Sequence, residues 1–405
     1  MKIILCISLI IKFLYEQFIT YLDYTYIDKE LPNNVKDVYN EQEYKRWKAY
    51  QNEGKYISFV EDIIEFLILI SFLYFDIYAK IFYMFNVSDA FRYLFTILII
   101  SLISTIISIP FDYYDTFVIE EKYGFNKTTK LTFFVDIIKT FILTNSLTFV
   151  LLMIIKFLYE KFGNIGLIYI IGSMILISLL IILLVMPIMK IFNKFKELED
   201  GELRDKLTSL CTKYNVIVKK IVIKDASKRT TKSNAFCTGL GNRKTISLDD
   251  NLVKNFTVDE IVAVFAHEFA HAKYKHMLKT LSFSILRIVF VVLIVGILLN
   301  YKSLFLEFGF NDINYIFAFT IYGYMIWVLD EFLDLFFNIL SRKHEYEADA
   351  FAAKEGYGNE LIKSLKKLYK EDYSDINPHP LVVKLTYSHP TLSQRIAAIE
   401  KITKI

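Results

Sequence analysis

Residues 257 to 276 read TVDEIVAVFAHEFAHAKYKH, and within them His267, Glu268 and His271 fit the His-Glu-x-x-His pattern, which is typical of zinc sites. The pattern requires a helix, because a 3.6-residue period places two imidazoles four residues apart on one face. The stretch begins with a threonine followed three residues later by a glutamate, which is a helix-start signal. We therefore predict that the two histidines bind one ion and that Glu268, offset around the helix, is a water-activating base rather than a ligand.

Histidine is concentrated in one part of the chain. There are six histidines in 405 residues, and none precedes position 267, a distribution that indicates chemistry. His276 follows His271 by five residues, which on a continuous helix is the wrong angle for the same ion. We interpret His276 as a supporting or structural residue and His344 as a surface residue, and we leave His379 unassigned.

The composition indicates a membrane protein. Hydrophobic residues make up 54% of the chain, with 36 phenylalanines and 28 tyrosines, which is too apolar for an ordinary soluble domain. The net charge of +3 argues against a nucleic-acid partner. The three cysteines share no metal-type spacing and argue against a disulfide framework or a cysteine zinc site. The apolar N-terminal segment has no small-residue cleavage site and is interpreted as an anchor.

Seven segments are apolar enough to be predicted as membrane spans. They lie near residues 3–22, 57–84, 93–111, 137–159, 166–189, 281–300 and 314–340. The long connections then fall on one face, which also carries most of the lysines and arginines, so the positive-inside rule predicts that this face is cytosolic. The predicted fold class is mainly α and integral to the membrane, with a cytosolic catalytic domain.

Several predicted spans carry ionisable residues. Examples are Glu61, Asp76, Asp136, Arg287 and Asp334. Charged groups at bilayer depth are costly and usually face a polar interior, so they favour an aqueous chamber enclosed by the seven helices. The alternative is that some lie at span ends or reach the interface through long side chains.

The region between the fifth and sixth spans is predicted to contain a small folded domain. Gly201 to Tyr214 has the pattern of an amphipathic helix, Val216 to Lys224 that of a strand, and residues 230–248 that of a hairpin with a turn from Gly239 to Asn242. A free strand edge before the metal helix can pair with an extended peptide and hold it across the metal. The alternative is a hairpin that only covers the domain.

A catalytic zinc site needs a third protein ligand and an open position. Glu345 and Asp349 are four residues apart on one predicted helical face, so one could ligate while the other holds a ligating imidazole. The alternative is a solvated acidic face. Near the C-terminus, His389 and Arg395 could supply positive charge to the site, or could be a helix cap and a surface group.

Five motifs together give the chain a family resemblance. They are Thr116–Thr129 (TFVIEEKYGFNKTT), Ser233–Phe236 (SNAF), His267–His276, Glu345–Phe351 (EYEADAF) and Tyr387–Pro390 (YSHP). With these motifs the chain resembles the type I CAAX prenyl proteases, seven-span zinc metalloproteases that process the C-terminus of prenylated proteins, and their bacterial membrane relatives. The resemblance covers nearly the whole chain. The chain departs from the family at positions 269 and 270, where Phe-Ala replaces the commoner Leu-Gly or Val-Gly.

The resemblance implies a role for each site residue. The implied ligands of a single zinc ion are His267, His271 and Glu345. The implied catalytic residues are Glu268 as general base, His389 as a stabiliser of transition-state charge, and Asp349 as the partner of a ligating histidine. The implied substrate-binding residues are Asn234, Ala235, Phe236 and Arg395. The fold implied is a zincin-like catalytic domain with a small β-hairpin, at the cytosolic end of a chamber formed by seven transmembrane helices.

The chain is accordingly divided into four parts. They are 1–189 with five spans, 190–280 with the substrate strand and the zinc helix, 281–340 with two spans, and 341–405 with the third ligand. The expected function is that of a membrane-embedded zinc endopeptidase acting on a peptide or prenylated protein within a lipid bilayer, as a monomer. Its membrane would be the endoplasmic reticulum in a eukaryote and the cytoplasmic membrane in a bacterium.

Two other functions remain open at this point. A quality-control protease for membrane proteins would use the same chemistry on substrates that are not prenylated. A transporter or channel with a structural zinc would account for the charged spans, but it predicts four protein ligands and no open position on the metal.

Overall fold

The computed structural model describes residues 1–239 and 244–403, and its N-terminal half consists of long helices with two short ones between them. In chain order these are α1 Lys2–Tyr26, α2 Glu41–Tyr74, α3 Ile77–Phe82, α4 Asp89–Tyr114, α5 Glu121–Tyr123, α6 Lys130–Phe162 and α7 Gly166–Phe192. Polar side chains start two of them, since Asn40 caps α2 and Thr129 caps α6. The predicted second span is interrupted between α2 and α3, where Asp76 adopts a left-handed backbone conformation with φ 57°.

A mixed four-stranded sheet follows α7. Its elements are β1 Phe195–Glu197, α8 Glu202–Lys213, β2 Val218–Lys224, β3 Ala235–Thr238 and β4 Lys244–Asp249. The strand order is β1-β2-β4-β3, in which β2 and β4 are parallel and the outer pairs antiparallel. The predicted hairpin is therefore confirmed, with β3 at the sheet edge, while residues 240–242 of its predicted turn lie outside the described residues.

The central helix of the catalytic domain follows the short helix α9 Asp250–Asn255 and is α10 Val258–Lys273. It begins with the predicted reciprocal cap: the Glu260 amide donates to the Thr257 hydroxyl at 3.3 Å, and the Thr257 amide donates to the Glu260 carboxylate at 2.9 Å. Buried residues occupy 10 of its 16 positions, so α10 is enclosed on most sides. Because it ends at Lys273, the continuous-helix geometry used above for His276 does not apply.

The C-terminal part of the chain returns through the membrane region to the catalytic domain. Its helices are α11 His276–Leu299, α12 Lys302–Leu306, α13 Tyr315–Met325, α14 Trp327–Ala352, α15 Gly358–Asp372, α16 Pro380–Thr386 and α17 Leu392–Thr403. A 70° bend separates α13 from α14, within the predicted seventh span. Beyond the bend, α14 packs against α10, and this contact brings together residues that lie about 80 positions apart in sequence.

Judged by helix length and composition, fewer helices qualify as membrane spans than the seven predicted. In the described residues, four continuous helical segments qualify, and α13 with α14 makes a fifth if the bent pair is one span. One of the four, Lys130–Phe192, contains both α6 and α7, which were predicted as separate spans. A membrane protein built mainly of helices is therefore confirmed, and the count of seven stays a prediction.

Charged residues of the predicted spans are largely paired. Asp76 contacts Lys2 at 2.6 Å, Asp136 contacts Arg229 at 2.7 Å, and Arg287 contacts Asp334 at 2.7 Å. Between α4 and α6 lies an open pocket of about 500 Å³ whose lining mixes polar residues, among them Ser101, Thr105, Asp112 and Asp136, with apolar ones, among them Ile109, Phe133, Ile137 and Phe141. The aqueous chamber enclosed by seven helices stays a prediction.

The loop after α5 belongs to the motif Thr116–Thr129 and pairs with the segment that leads into β3. There the Lys127 amide donates to the Arg229 carbonyl at 2.9 Å, and the Thr231 amide donates to the Phe125 carbonyl at 3.0 Å. Residues 125–127 thus pair with the segment that leads into β3. The membrane part of the chain thereby holds the start of the edge strand beside α10.

Candidate metal centre

Two helices bring three metal-ligand atoms to one point. His267 and His271 lie on α10, and Glu345 lies on α14. The two Nε2 atoms are 3.2 Å apart, His271 Nε2 is 3.3 Å from Glu345 Oε1, and His267 Nε2 is 3.5 Å from Glu345 Oε2. The three residues predicted as ligands are therefore together, as a His/Glu group able to hold an ion.

The spacing of these atoms fits a tetrahedral metal site. Metal–ligand bonds of about 2.0–2.1 Å in a tetrahedral arrangement separate neighbouring ligand atoms by roughly 3.3–3.4 Å. The two Nε2 atoms, 3.2 Å apart, are close to this value, and each lies 3.3 or 3.5 Å from a different oxygen of the Glu345 carboxylate. An ion bound to both imidazoles and to one of these oxygens would keep a fourth position for water or substrate, as in catalytic rather than structural sites.

The hydrogen-bonding pattern also suits the site to a cation. His267 Nδ1 lies 2.9 Å from Asp349 Oδ1, and because a carboxylate only accepts, the proton of a neutral His267 is on Nδ1. Its Nε2 lone pair then points at the His271 ring and at Glu345. Glu345 Oε2 is buried, with His267 Nε2 at 3.5 Å and His389 Nδ1 at 3.0 Å. Lone pairs directed at one another are repulsive, so the pocket is suited to a positive ion.

The surroundings of His267 keep it fixed and basic. Burial disfavours its charged form, but hydrogen bonds to Asp349 and Glu345 outweigh burial and raise the pKa of His267 to about 9 in the metal-free site. Asp349 is in turn held by Arg395, whose Nε and Nη2 donate to its two oxygens at 2.9 and 2.7 Å. In the metal-free protein a proton therefore takes the place of the ion.

Glu268 lies beside the ligand atoms without joining them. It follows His267 on α10 and is partly exposed, unlike the buried residues on either side. Burial of the carboxyl group raises its pKa, which strengthens the carboxylate as a base. Glu268 is not part of the group of three ligand atoms, and its role as a base stays a prediction.

The other predicted site residues, His389 and Arg395, lie at different distances from the three ligand atoms. His389 Nδ1 lies 3.0 Å from Glu345 Oε2, and its side chain is 59% exposed, so it faces both the ligands and solvent. Arg395 is buried behind the ligands with its donors bonded to Asp349, and its closest approach to Glu345 is 3.8 Å. It therefore contacts the ligand set rather than an open surface, and its predicted substrate contact stays a prediction.

The predicted substrate strand runs beside α10. Asn234 precedes β3 and is exposed, while Ala235 and Cys237 pack against the core that contains α10. Because side chains alternate along a strand, Phe236 faces the other side of the sheet, where its ring lies 5.8 Å from the Lys224 ammonium. The Asp249 amide donates to the Asn234 carbonyl at 3.0 Å, so in this register the backbone of Phe236 also faces β4, and a peptide added to the edge would meet the main chain of Ala235 and Cys237.

Three further histidines lie outside the ligand set, and the structure shows what each of them contacts. The interpretation of His344 as a surface residue is wrong, because it is buried and stacks on His276 with ring centroids 4.0 Å apart. His276 contacts both His271 and Glu347 at 3.0 Å, a connection that sequence spacing did not indicate because it depends on the end of α10. His379 caps α16, where its Nδ1 accepts from the Leu381 amide at 3.1 Å.

Two adjoining parts of the chain each match a known protein family. Residues 22–194 match the CAAX prenyl protease N-terminal family, described as five membrane helices. Residues 197–403 match peptidase family M48. These matches favour a peptidase over the transporter or channel considered above.

Individual relatives extend over nearly the whole chain. The chain is 30% identical to CAAX prenyl protease 1 of Saccharomyces cerevisiae, covering 100% of this chain and 96% of the yeast protein. It is 32% identical to the CAAX prenyl protease 1 homologue of Arabidopsis thaliana, covering 97% and 96%. The crystal structure of S. mikatae Ste24p superposes with a TM-score of 0.93 at 30% identity, covering 98% of this chain and 99% of that one. The chain therefore belongs to peptidase family M48, as a membrane metalloprotease of the CAAX prenyl protease type.

Proposed function

We propose that this chain is a zinc endopeptidase that cleaves peptide bonds near the C-terminus of prenylated proteins. The observation that carries the proposal is the convergence of His267, His271 and Glu345 on one point, with Glu268 beside them. The names of the relatives, CAAX prenyl protease 1 and its homologues, support the substrate class.

Zinc is the metal favoured by the donor set. Two imidazole nitrogens and one carboxylate oxygen, with a fourth position left open, are the usual ligands of a catalytic zinc ion. Zinc, when bound, lowers the pKa of a ligated water towards neutrality and polarises the scissile carbonyl. The remaining steps belong to side chains of the protein.

Glu268 carries the proton during the reaction. Its carboxylate takes a proton from the attacking water and later returns it to the leaving amine. A pKa raised by burial suits both steps, because the group is a stronger base than a solvated glutamate and still a usable acid. Glu268 therefore acts first as a general base and then as a general acid.

His389 and the edge strand position the substrate. His389 lies at the ligand set with most of its side chain open to solvent, a position from which a ring N–H can donate to the developing oxyanion. Within Asn234 to Phe236, the main chain of Ala235 faces the free edge of β3 and would pair with an extended peptide, as in other cases of strand addition. Asp349 and Arg395 hold His267 from the buried side.

The catalytic side of the protein is proposed to face the cytosol. The long loops, which carry most of the lysines and arginines, include the sheet and α10. The two relatives named above are eukaryotic, which favours the endoplasmic reticulum over a bacterial cytoplasmic membrane. We propose a monomer, because all three ligands and the base come from one chain.

Cleavage of a matched peptide pair tests the substrate. The purified chain is given a farnesylated peptide and its unprenylated twin, and kcat/KM is measured for both, alongside the Glu268→Gln variant. We expect the farnesylated peptide to be preferred, and Glu268→Gln to retain zinc while losing about 10²- to 10⁴-fold in kcat.

The outcomes separate the chemistry from the substrate. A fully active Glu268→Gln variant would show that the proposed base is wrong. Equal kcat/KM for the two peptides, with Glu268→Gln inactive, would instead support the quality-control alternative, in which the same zinc chemistry acts on substrates that are not prenylated.

A further inference from the structure

The two proposed zinc histidines are supported in different ways on the side away from the metal. His267 Nδ1 contacts a carboxylate directly, that of Asp349, at 2.9 Å. His271 Nδ1 instead contacts a second imidazole, His276 Nδ1, at 3.0 Å. The other nitrogen of His276, Nε2, lies 3.0 Å from Glu347 Oε2. A chain of two short contacts therefore runs from His271 to a carboxylate.

The proton positions along this chain follow from its two ends. A metal bound to His271 through Nε2 leaves the proton of the neutral ring on Nδ1. That N–H donates to His276 Nδ1, which must then be the unprotonated nitrogen of its ring. The proton of His276 is on Nε2 and is donated to Glu347, which only accepts. Every contact has one donor and one acceptor, and only one arrangement of protons satisfies all of them.

We infer that His276 and Glu347 form a histidine–carboxylate relay that fixes the tautomer and orientation of His271 as a zinc ligand. The inference rests on the proposed zinc role of His271 and adds two positioning residues to the site. In metal sites generally, partners of this kind fix the ring of a ligating histidine and raise its basicity, and losing one costs 10- to 100-fold in metal affinity.

The fold is built to bring His276 back to His271. On a continuous helix the two rings would lie about 140° apart around the axis. Here α10 ends at Lys273, and Lys275 adopts φ 56°, a left-handed conformation that is unfavourable for a residue with a side chain. Such strain persists only where surrounding contacts require it, and it is common at functional sites. The turn places His276 at the start of α11, with its ring against His271.

Packing holds the His276 ring in this position. It is buried, and the His344 ring lies parallel to it at 4.0 Å with an angle of 10° between the planes. Glu347 comes from α14, two residues after the ligand Glu345, and so points to a different side of that helix. The same helix thus supplies a ligand, the partner of His267, and the end of the relay.

Two substitutions at His276 distinguish a relay from simple packing. His276→Phe keeps an aromatic ring for the stack with His344 but removes both nitrogens. His276→Asn loses the ring but places its amide oxygen the same number of bonds from Cα as Nδ1, so it can still accept from His271. The relay predicts that Phe lowers zinc affinity about 10- to 100-fold, and that Asn retains most of it. A packing role predicts the opposite order.

The measurement is zinc affinity, by competition with a chelator, on the purified full chain. A second arm uses Glu347→Met, which is expected to fold because the Glu347 side chain is 36% exposed, and which should lower affinity by ~3- to 10-fold. The matched control is Lys343→Met. Lys343 approaches only the other oxygen of Glu347, at 4.0 Å, and its loss should leave zinc affinity within about twofold.

The results separate the relay from the proposed function. Zinc affinity of His276→Phe equal to that of the parent, or higher than that of His276→Asn, overturns the relay. If the Phe variant does not fold, parental affinity in Glu347→Met overturns it. A parent chain that binds no zinc would instead contradict the proposed metal, whatever the variants do. Failure to cleave a prenylated peptide bears on the substrate alone, because affinity is measured without peptide.

Discussion

The two histidines of the metal site share a helix face but not an environment. His267 and its partner Asp349 are almost inaccessible, and Asp349 is 1% exposed, whereas the His271 side chain is 23% exposed and the relay ends at Glu347, which is 36% exposed. The buried side uses a complete ionic set, in which Arg395 neutralises Asp349. The open side uses a neutral imidazole between the ligand and a hydrated carboxylate.

The difference shows how burial selects the support of a metal ligand. A carboxylate removed from water needs a counter-ion, because an unpaired buried charge is strongly unfavourable. At the protein surface water screens the charge, and an ion pair there contributes little to the free energy of folding. We therefore expect the buried side to matter for stability and ligand protonation, and the open side mainly for metal affinity.

Matched carboxylate-to-amide substitutions test this comparison, and the largest effect is expected at Asp349→Asn. The amide can still accept from His267, but Arg395 loses its counter-ion in a buried position. The free energy of unfolding should fall by about 3 kcal/mol, measured by thermal or denaturant unfolding of the metal-free chain in detergent. A loss no greater than that of Glu347→Gln would show that the buried ionic set is not needed for folding.

Proton release on metal binding should be the next largest effect. The pKa of His267 is raised from 6.5 to about 9 in the metal-free protein. The corresponding contribution to stability is therefore complete below pH 6.5 and is lost as pH rises through about 9. Zinc must displace this proton, so its apparent affinity should rise about tenfold per pH unit up to pH 9, equivalent to about 1.4 kcal/mol per unit.

Calorimetry in buffers of different ionisation enthalpy measures the released proton. About one proton per zinc ion should leave at pH 7.5. The number should fall in Asp349→Asn, where the hydrogen-bonding carboxylate is gone, and stay unchanged in Glu347→Gln. Equal proton release in the parent and Asp349→Asn would mean that Asp349 does not set the protonation of His267.

The smallest effect on stability is expected at Glu347→Gln. The amide oxygen can still accept from His276 Nε2, and the lost charge is partly solvated. The free energy of unfolding should change by less than about 1 kcal/mol, in the same unfolding experiment as Asp349→Asn. A loss of 3 kcal/mol would make the open side as important for folding as the buried one and remove the contrast between them.

Local spacing was enough to predict much of the site. The separation of His267 and His271, the capping residues Thr257 and Glu260, and the two extended runs of the β3–β4 hairpin are all short-range patterns, and the structure has the elements they predict. The role of His276 was not predictable in this way. It depends on the backbone of Lys275, a residue type that does not by itself indicate a left-handed turn.

Burial was the property least accessible to local reasoning. His344 sits in an acidic and basic stretch that reads as a solvated helix face, yet it is buried and stacks on His276 at the start of α11. Arg395 was expected to line the site, and the packing of α17 on α14 places it behind the ligands against Asp349. Exposure is a property of the whole assembly of helices, so a periodic pattern on one helix does not determine it.

The sequence by itself determined the metal helix, the family and the membrane character, because a four-residue histidine spacing, a set of ordered motifs and apolar composition are local properties. Only the tertiary structure decided how each ligand is supported. Glu345, Asp349 and Glu347 reach the histidines across about 70 to 80 residues of chain, through the contacts of α14 with α10 and with the start of α11. Which carboxylate is buried and paired, and which is open to water, follows from these contacts and from α17, which supplies Arg395.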